Sequence, residues 1–273
     1  MYEYLFLYIL AFVAIIFAVV QDLRFREISN WLTFSLIFFV LATRLVYAVY
    51  FDNLSFFLFG LGGVFFFVVL GYLLYYGHVF AGGDAKLLFG LGGIFAYNSI
   101  IDYLFYGFGF VLLLLIVGVV YTLSYSLVLV FTNFTNFSNE FSKNFIKYKL
   151  FFVVSLVIGI LIGAFSNLLY SFIFPLFFLM FVYTKSLENT CMIKLVSPQI
   201  LSEGDWLVSD VRVGNKIILK TVHGVSYEEI LLLRKNNKKV WIKSGVPFAP
   251  AFLIALVIFL FFYNKFLNIT SLF

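Results

Sequence analysis

The stretch Q-D-L-R-F-R-E-I-S-N, residues 21–30, follows the first strongly apolar run of the chain, and A-G-G-D-A-K, residues 81–86, precedes the fourth. Asp22 lies in the first stretch and Asp84 in the second. Two apolar segments separate them, so a chain that crosses a bilayer out and back returns both aspartates to the same face and the same depth. Acidic side chains at membrane level are costly and by default indicate a functional site.

The composition predicts an all-α polytopic membrane protein. Of 273 residues, 64% are hydrophobic and 11% are charged, and the mean hydropathy is +1.08; about 25% of the residues of an average soluble protein are charged. The single cysteine, Cys191, excludes an internal disulfide and a multi-cysteine zinc site. The two histidines, His78 and His223, are far apart in the sequence, so we predict no metal site.

We predict about eight transmembrane helices, because one span needs about 20 residues. Six form a core and two form a hairpin, with the turn at Ser166-Asn167. The apolar runs cover residues 4–20, 31–50, 54–76, 87–101, 104–131, 150–165, 167–184 and 248–263. If residues 150–184 formed one span instead of two, the number would be seven.

The basic residues predict the orientation. If the loop after Asp22 is cytoplasmic, all but two of the 18 Lys and Arg residues fall on the cytoplasmic side. Arg44, near the outer end of the second span, and Lys265 are the exceptions. Cytoplasmic loops carry an excess of Lys and Arg, so this orientation is favoured. It locates both aspartates at the cytoplasmic face of the cell membrane.

The chain divides into four predicted segments: an N-terminal membrane core, 1–131; a cytoplasmic loop and helical hairpin, 132–184; a small cytoplasmic α+β unit, 185–246; and a C-terminal transmembrane helix, 247–273. In the α+β unit, two strands flank a turn at Gly214-Asn215, and Ser226 with Glu229 predicts a capping box for a helix. A stabilising cap and a substrate-docking unit both remain possible roles.

Two carboxyl groups that meet can hydrolyse a peptide bond. One takes a proton from water as the general base, and the other donates to the scissile carbonyl. Like charges at close range cannot both ionise cheaply, so such a pair shares one proton. Asp84 begins a helix and Asp22 ends one, and the helix dipole favours an anion at the beginning. We therefore expect Asp84 to be the more acidic member.

Several neighbouring residues are predicted to shape this site. Gly82 and Gly83 allow a tight turn and leave the main chain open to a substrate strand. Three basic side chains either orient the carboxylates or anchor helix ends at the headgroups: Arg24, Arg26 and Lys86. Asn30 is interpreted as a cap of the second span. Glu27 either contacts a basic substrate or is a solvated loop charge.

These motifs resemble the type IV prepilin peptidase family, in particular its archaeal preflagellin and prepilin peptidases, which are GxGD-type aspartic intramembrane proteases. The family pattern after the first helix is matched by Asp22, Arg24, Arg26, Ile28 and Asn30, and the G-x-G-D pattern by Gly83, Asp84, Ala85, Lys86 and Leu87. Ala81 replaces the first glycine of that pattern. The run G-V-P-F-A-P, residues 245–250, also resembles the archaeal members. The resemblance is firm over residues 4–105 and looser over 200–263.

The resemblance implies an aspartic endopeptidase, a hydrolase of the cytoplasmic membrane face with Asp22 and Asp84 as catalytic residues. Its substrates would be pilin-like or flagellin-like precursors of a type IV pilus or an archaeal flagellum. It would remove their short basic leader peptides (class III signals). No cofactor, metal or nucleic acid is implied, and the oligomeric state stays open.

Two alternatives remain at this stage. A transporter or membrane scaffold could use Asp22 and Asp84 as proton-relay or structural groups, although both lie at the interface rather than at the midplane. Another kind of intramembrane aspartyl protease, such as presenilin or signal peptide peptidase, carries its first aspartate deeper in a helix. Asp52 and Asp102 fall on the opposite face and are predicted to be loop residues.

Overall fold

The computed structural model describes residues 2–270, apart from residues 96, 166, 215, 222 and 223. The predicted turn residues Ser166 and Asn215 and the histidine His223 therefore lie outside the described residues. The chain is mostly helical (73%) with small sheets, which confirms the predicted fold class of a polytopic α-helical membrane protein.

The helices follow the apolar runs along the chain. They are α1 Tyr2–Phe25, α2 Asn30–Tyr50, α3 Leu54–Tyr76, α4 Gly82–Leu91, α5 Ile100–Asp102, a π-helical segment Tyr103–Phe108, α6 Gly109–Thr132, α7 Phe134–Lys147, α8 Lys149–Phe165, a 3-10 segment Leu168–Phe172, α9 Ile173–Thr190, α10 Tyr227–Lys235 and α11 Ala249–Thr270.

Within the described residues, five helices are long and apolar enough to cross a membrane, or six if the bent pair α7 and α8 forms one span. They are Tyr4–Phe25, Asn30–Tyr50, Leu54–Tyr76, Ile100–Thr132 and Leu169–Thr190. This differs from the predicted eight. The fourth predicted span, 87–101, is a helix only to Leu91, because the run Gly90-Leu-Gly-Gly93 is a poor helix former. The last predicted span corresponds to α11, whose apolar part, Ala249–Phe262, is shorter than the helices counted as spans.

The chain forms two compact units. The first comprises Met1–Leu123 and Val246–Phe273, and the second Ser124–Gly245. In the first unit α4 packs against α2 and α3, and α1 packs against α2 and α11. Leu87, Leu88 and Leu91 of α4 are fully buried in its core. The unit thus surrounds the short helix that begins next to Asp84.

Glycines let α3 and the end of α4 approach closely, because small residues allow membrane helices to come into backbone contact. A Cβ added at Gly63 would overlap the carbonyl oxygen of Gly92 and the ring of Tyr97. A Cβ at Gly92 would in turn overlap the carbonyl oxygen of Gly63. The two backbones therefore touch, and neither position has room for a side chain.

In the second unit, α7 and α9 pack together, and Asn144 Nδ2 donates to Ser186 Oγ at 3.0 Å. α7 occupies part of the predicted loop after residue 132. Two antiparallel sheets follow, one of order β1 (Ile193–Val196), β5 (Val240–Lys243), β2 (Trp206–Leu207), and one of β3 (Val211–Val213) and β4 (Lys216–Ile218). The predicted capping box of Ser226 and Glu229 is present at the start of α10.

The backbone contact between α3 and α4 predicts a stability difference between two glycine-to-alanine substitutions. Gly63→Ala should lower the free energy of unfolding by about 1–3 kcal/mol through overpacking. Gly109→Ala is the matched control, since its added Cβ meets nothing within 4 Å. Thermal unfolding in detergent micelles measures both. Equal unfolding temperatures for the two variants would contradict the close packing at Gly63.

Candidate active site

Asp22 lies near the end of α1 and is bound by the first residue of α11. Its side chain is 7% exposed, and its Oδ2 accepts the backbone N–H of Ala249 at 2.9 Å in a buried contact. The N–H groups in the first turn of a helix have no partner within the helix, and Pro250 has no N–H at all. Asp22 therefore satisfies the donor at the start of α11 that the helix itself leaves unpaired.

Asp84 lies in the first turn of α4 and is 9% exposed. The backbone N–H of Ala81 donates to its carboxyl group, and the carboxyl groups of Asp84 and Asp22 are close enough for their charges to interact. The structure therefore brings together the two aspartates that the sequence singles out. Ala81 has φ −72° and ψ 162°, an extended conformation open to any residue, so its replacement of the family glycine causes no strain.

The glycines before Asp84 allow a close approach rather than an unusual turn. Gly82 and Gly83 are already part of the first turn of α4. A Cβ at Gly83 would lie 3.3 Å from Cβ of Ile28 and 3.5 Å from its backbone nitrogen. Ile28 is 5% exposed, so the loop after α1 packs its one apolar residue onto the start of α4.

The loop between α1 and α2 is held by hydrogen bonds at both of its ends. Arg26 adopts a positive φ of 59° as α1 ends. Gln21 Oε1 accepts from the backbone N–H and the hydroxyl of Ser29, at 3.0 and 2.9 Å. A polar residue one position before Asp22 thus fixes the loop that carries Ile28.

Lys86 connects the two motifs directly. Its Nζ donates to Asn30 Oδ1 at 2.7 Å. The interpretation of Asn30 as a helix cap is wrong, because Ser29 is the residue that precedes α2 and Asn30 is its first residue. The charge of Arg26 interacts with Asp22. Arg24 is exposed, which fits the anchoring alternative.

Aromatic packing fixes the start of α11. Phe80, in the connection before α4, packs against Phe248 and Phe252 with ring centroids 5.4 and 5.9 Å apart. The ring of Phe248 also lies against Gly118 of α6, where an added Cβ would come within 2.5 Å of it. The connection before α4 and helix α6 thereby hold the start of α11 against Asp22. The run Pro-Phe-Ala-Pro was the available sequence signal, since it places two N–H groups between two prolines.

The other polar residues near the ends of the helices have local partners or face outwards. Asp102 Oδ2 accepts the backbone N–H groups of Asn98 and Ser99 at the start of α5. Asp52, Glu27 and His78 are exposed. In the part of the chain that the structure describes, no group of three or more His, Cys, Asp or Glu residues is arranged to hold a metal ion.

This arrangement suits acid–base chemistry on a water molecule. Both carboxyl groups accept a main-chain N–H, and Asp22 also lies near a guanidinium, which favours its ionised form. The other is buried beside it, where a second negative charge would be costly. A buried pair of this kind provides one proton acceptor and one proton donor at a single site.

Comparison with known proteins gives one match. The model of the type IV leader peptidase family matches residues 9–123, the segment that contains both Asp22 and Asp84. No curated protein and no solved structure matches the chain. Over this segment the chain is similar to the type IV leader peptidase family, and the match supports a peptidase of the prepilin or preflagellin type. Its long apolar helices support a multi-pass membrane protein.

Proposed function

We propose that the chain is an aspartic endopeptidase in which Asp22 and Asp84 together hydrolyse the peptide bond. The observation that carries this proposal is the proximity of two buried carboxyl groups, both within the matched segment and close enough for their charges to interact. The charge of Arg26 interacts with Asp22, Gly82 and Gly83 precede Asp84 in α4, and Arg24 lies at the exposed end of α1. Lys86, two residues after Asp84, binds Asn30.

The neighbouring charges support a different role for each aspartate. Asp22 is the carboxylate, because it lies near the guanidinium of Arg26 in addition to accepting the Ala249 N–H. It takes a proton from water as the water oxygen attacks the scissile carbonyl carbon. Asp84 is the carboxylic acid, and it donates its proton to the carbonyl oxygen. The proton that Asp22 took from water then passes to the nitrogen of the tetrahedral intermediate. As the C–N bond breaks and the amine leaves, a hydroxyl of the intermediate returns a proton to Asp84 and a carboxyl group forms. This assignment reverses the expectation from helix ends alone, because the partner of Asp22 lies in another helix.

The substrates that suit this site are prepilin-like or preflagellin-like precursors with short basic leaders. Such a precursor keeps its apolar helix in lipid while the junction with its leader reaches carboxyl groups at a helix end. The distribution of basic residues supports a cytoplasmic site. Arg24 and Arg26 in the loop after α1 fall on the same side as Lys86 at the start of α4, and an excess of Lys and Arg is typical of cytoplasmic loops.

The first prediction concerns the two aspartates. Asp22→Asn and Asp84→Asn should each abolish cleavage of a prepilin-like precursor by the purified protein in detergent. In each variant only one carboxyl group is left, so the site no longer provides both an acid and a base. Asp52→Asn is the matched control. Asp52 is exposed and has φ 48°, a conformation that asparagine tolerates. Precursor cleavage that survives Asp22→Asn or Asp84→Asn contradicts the proposal.

The second prediction concerns the main-chain donor to Asp22. Ala249→Pro removes the N–H, and proline fits the first position of a helix. Loss of a hydrogen bond to a charged group costs about 1.5–3 kcal/mol, so kcat should fall roughly 10- to 100-fold. The acidic limb of the pH–rate profile should move to higher pH, because the carboxylate then binds its proton more readily.

Ala249→Gly is the control for that substitution, since it keeps the N–H. A normal pH–rate profile for Ala249→Pro, with Ala249→Gly also normal, would show that this donor does not tune Asp22.

The third prediction concerns orientation. In a Cys191→Ser background, Asp52→Cys should react with an impermeant maleimide in intact cells, because Asp52 is exposed in the outer connection between α2 and α3. Glu27→Cys, exposed in the loop beside Asp22, should react only after the membrane is opened. Labelling of Glu27→Cys in intact cells would assign the site to the outer face.

A further inference from the structure

Arg44 is the most deeply buried charged side chain in the described part of the chain, with 0% exposure. By the positive-inside pattern it is an exception, since it lies near the outer end of α2. A charged side chain within a membrane protein is expensive and needs partners. Its partners in this structure are backbone carbonyl groups.

The guanidinium donates three hydrogen bonds to main-chain oxygens. Nε donates to Gly93 at 2.6 Å, Nη2 to Phe95 at 2.5 Å, and Nη1 to Phe56 at 2.7 Å. Gly93 and Phe95 belong to the non-helical stretch directly after α4. Phe56 lies in the first turn of α3. One side chain of α2 therefore fastens the end of α4 to the beginning of α3.

The surroundings are shaped to hold this side chain. A Cβ at Gly60 would overlap the Cδ and Nε atoms of Arg44, so only glycine leaves room for it. The guanidinium carbon lies 4.6 Å from the ring centroid of Phe56 and 5.6 Å from that of Tyr4. Aromatic faces stabilise a desolvated cation. The planar fork of arginine can serve several carbonyl oxygens at once, which a lysine ammonium cannot do in the same geometry.

The carbonyls of Gly93 and Phe95 have no donors from a continuing helix, because α4 ends at Leu91. Unpaired backbone groups in the hydrocarbon region cost several kcal/mol each. α4 is ten residues long, and Asp84 lies in its first turn. The same rigid element thus carries Asp84 at one end and is fastened by Arg44 just beyond the other.

We propose that Arg44 is a positioning residue of the aspartate pair: by binding the carbonyls of Gly93 and Phe95 it fixes α4 along its axis and holds Asp84 level with Asp22. This inference rests on the proposed function of the pair. Contacts at the front of α4, Lys86 with Asn30 and Gly83 with Ile28, set its position at the site. Arg44 sets the position of α4 from beyond its other end and does not touch the reacting atoms.

The test measures the register of α4 separately from activity. In a Cys191→Ser background, Asn30→Cys and Lys86→Cys are joined by a short thiol cross-linker, since the native side chains are in contact. Arg44→Met should slow cross-linking about tenfold, the scale on which one charge-assisted hydrogen bond acts. In the protein with native Asn30 and Lys86, the same variant should lower kcat by a similar factor and change KM little. Arg44→Lys should restore part of the cross-linking rate and part of kcat.

Two further variants keep the test informative if Arg44→Met does not fold. Gly60→Ala displaces the arginine but keeps its charge. It should also slow cross-linking and lower kcat. Tyr103→Phe is the matched control, because it loses only the hydrogen bond of the Tyr103 hydroxyl to the Phe59 carbonyl at 2.8 Å. It should leave cross-linking and kcat unchanged.

The inference is overturned if Arg44→Met and Gly60→Ala lower only the unfolding temperature, or if cross-linking slows while kcat is unchanged. Neither result would bear on the proposed function, which the Asp22→Asn and Asp84→Asn variants test by themselves.

Discussion

Unpaired backbone groups are the constraint on which the membrane unit depends. A continuous helix satisfies its own main chain, but a helix that begins or ends inside the unit leaves donors or acceptors that neither lipid nor water can serve. The unit has such an end at the start of α11 and another after α4. Asp22 accepts the N–H at the first, and Arg44 donates to the carbonyls at the second.

The two charged side chains are complementary in sign to the backbone groups that they bind. An N–H donor selects a carboxylate, and carbonyl acceptors select a guanidinium. Arg44 is held by three carbonyl oxygens and two aromatic rings, and Asp22 by a main-chain N–H and the charge of Arg26. Asp22 is also a proposed catalytic group. The carboxyl group that binds the first N–H of α11 is therefore the one that would activate water. The fold and the site share one hydrogen bond.

The sequence was sufficient for the parts of the structure that depend on composition and on spacing. Apolar content predicted the fold class, and the two crossings between Asp22 and Asp84 predicted that they meet. The length of α4 was not predictable from hydropathy, because Gly92 and Gly93 are compatible with an apolar run but end the helix. Contacts between distant segments were not predictable from hydropathy either. Asn30 was assigned to a cap because its partner, Lys86, is 56 residues away.

The partner of Asp22 was hidden for a different reason. A main-chain N–H leaves no side-chain signature, and Ala249 is 227 residues away from Asp22. Only the prolines around it hinted that a donor was left free. The proposed reversal of base and acid rests on this contact and on the charge of Arg26, which the dipole argument left out because it considered only the helix on which each aspartate lies.

The short length of α4 also has a consequence for how the protein enters the membrane. A segment with ten helical residues and an unwound tail is a poor candidate for insertion by itself. Its stabilising partners, Arg44 on α2 and the turn around Phe56, precede it along the chain and leave the ribosome earlier. The short helix α4 can therefore be received by a preformed helical pair, so that the order of synthesis matches the order in which the buried backbone acquires its partners.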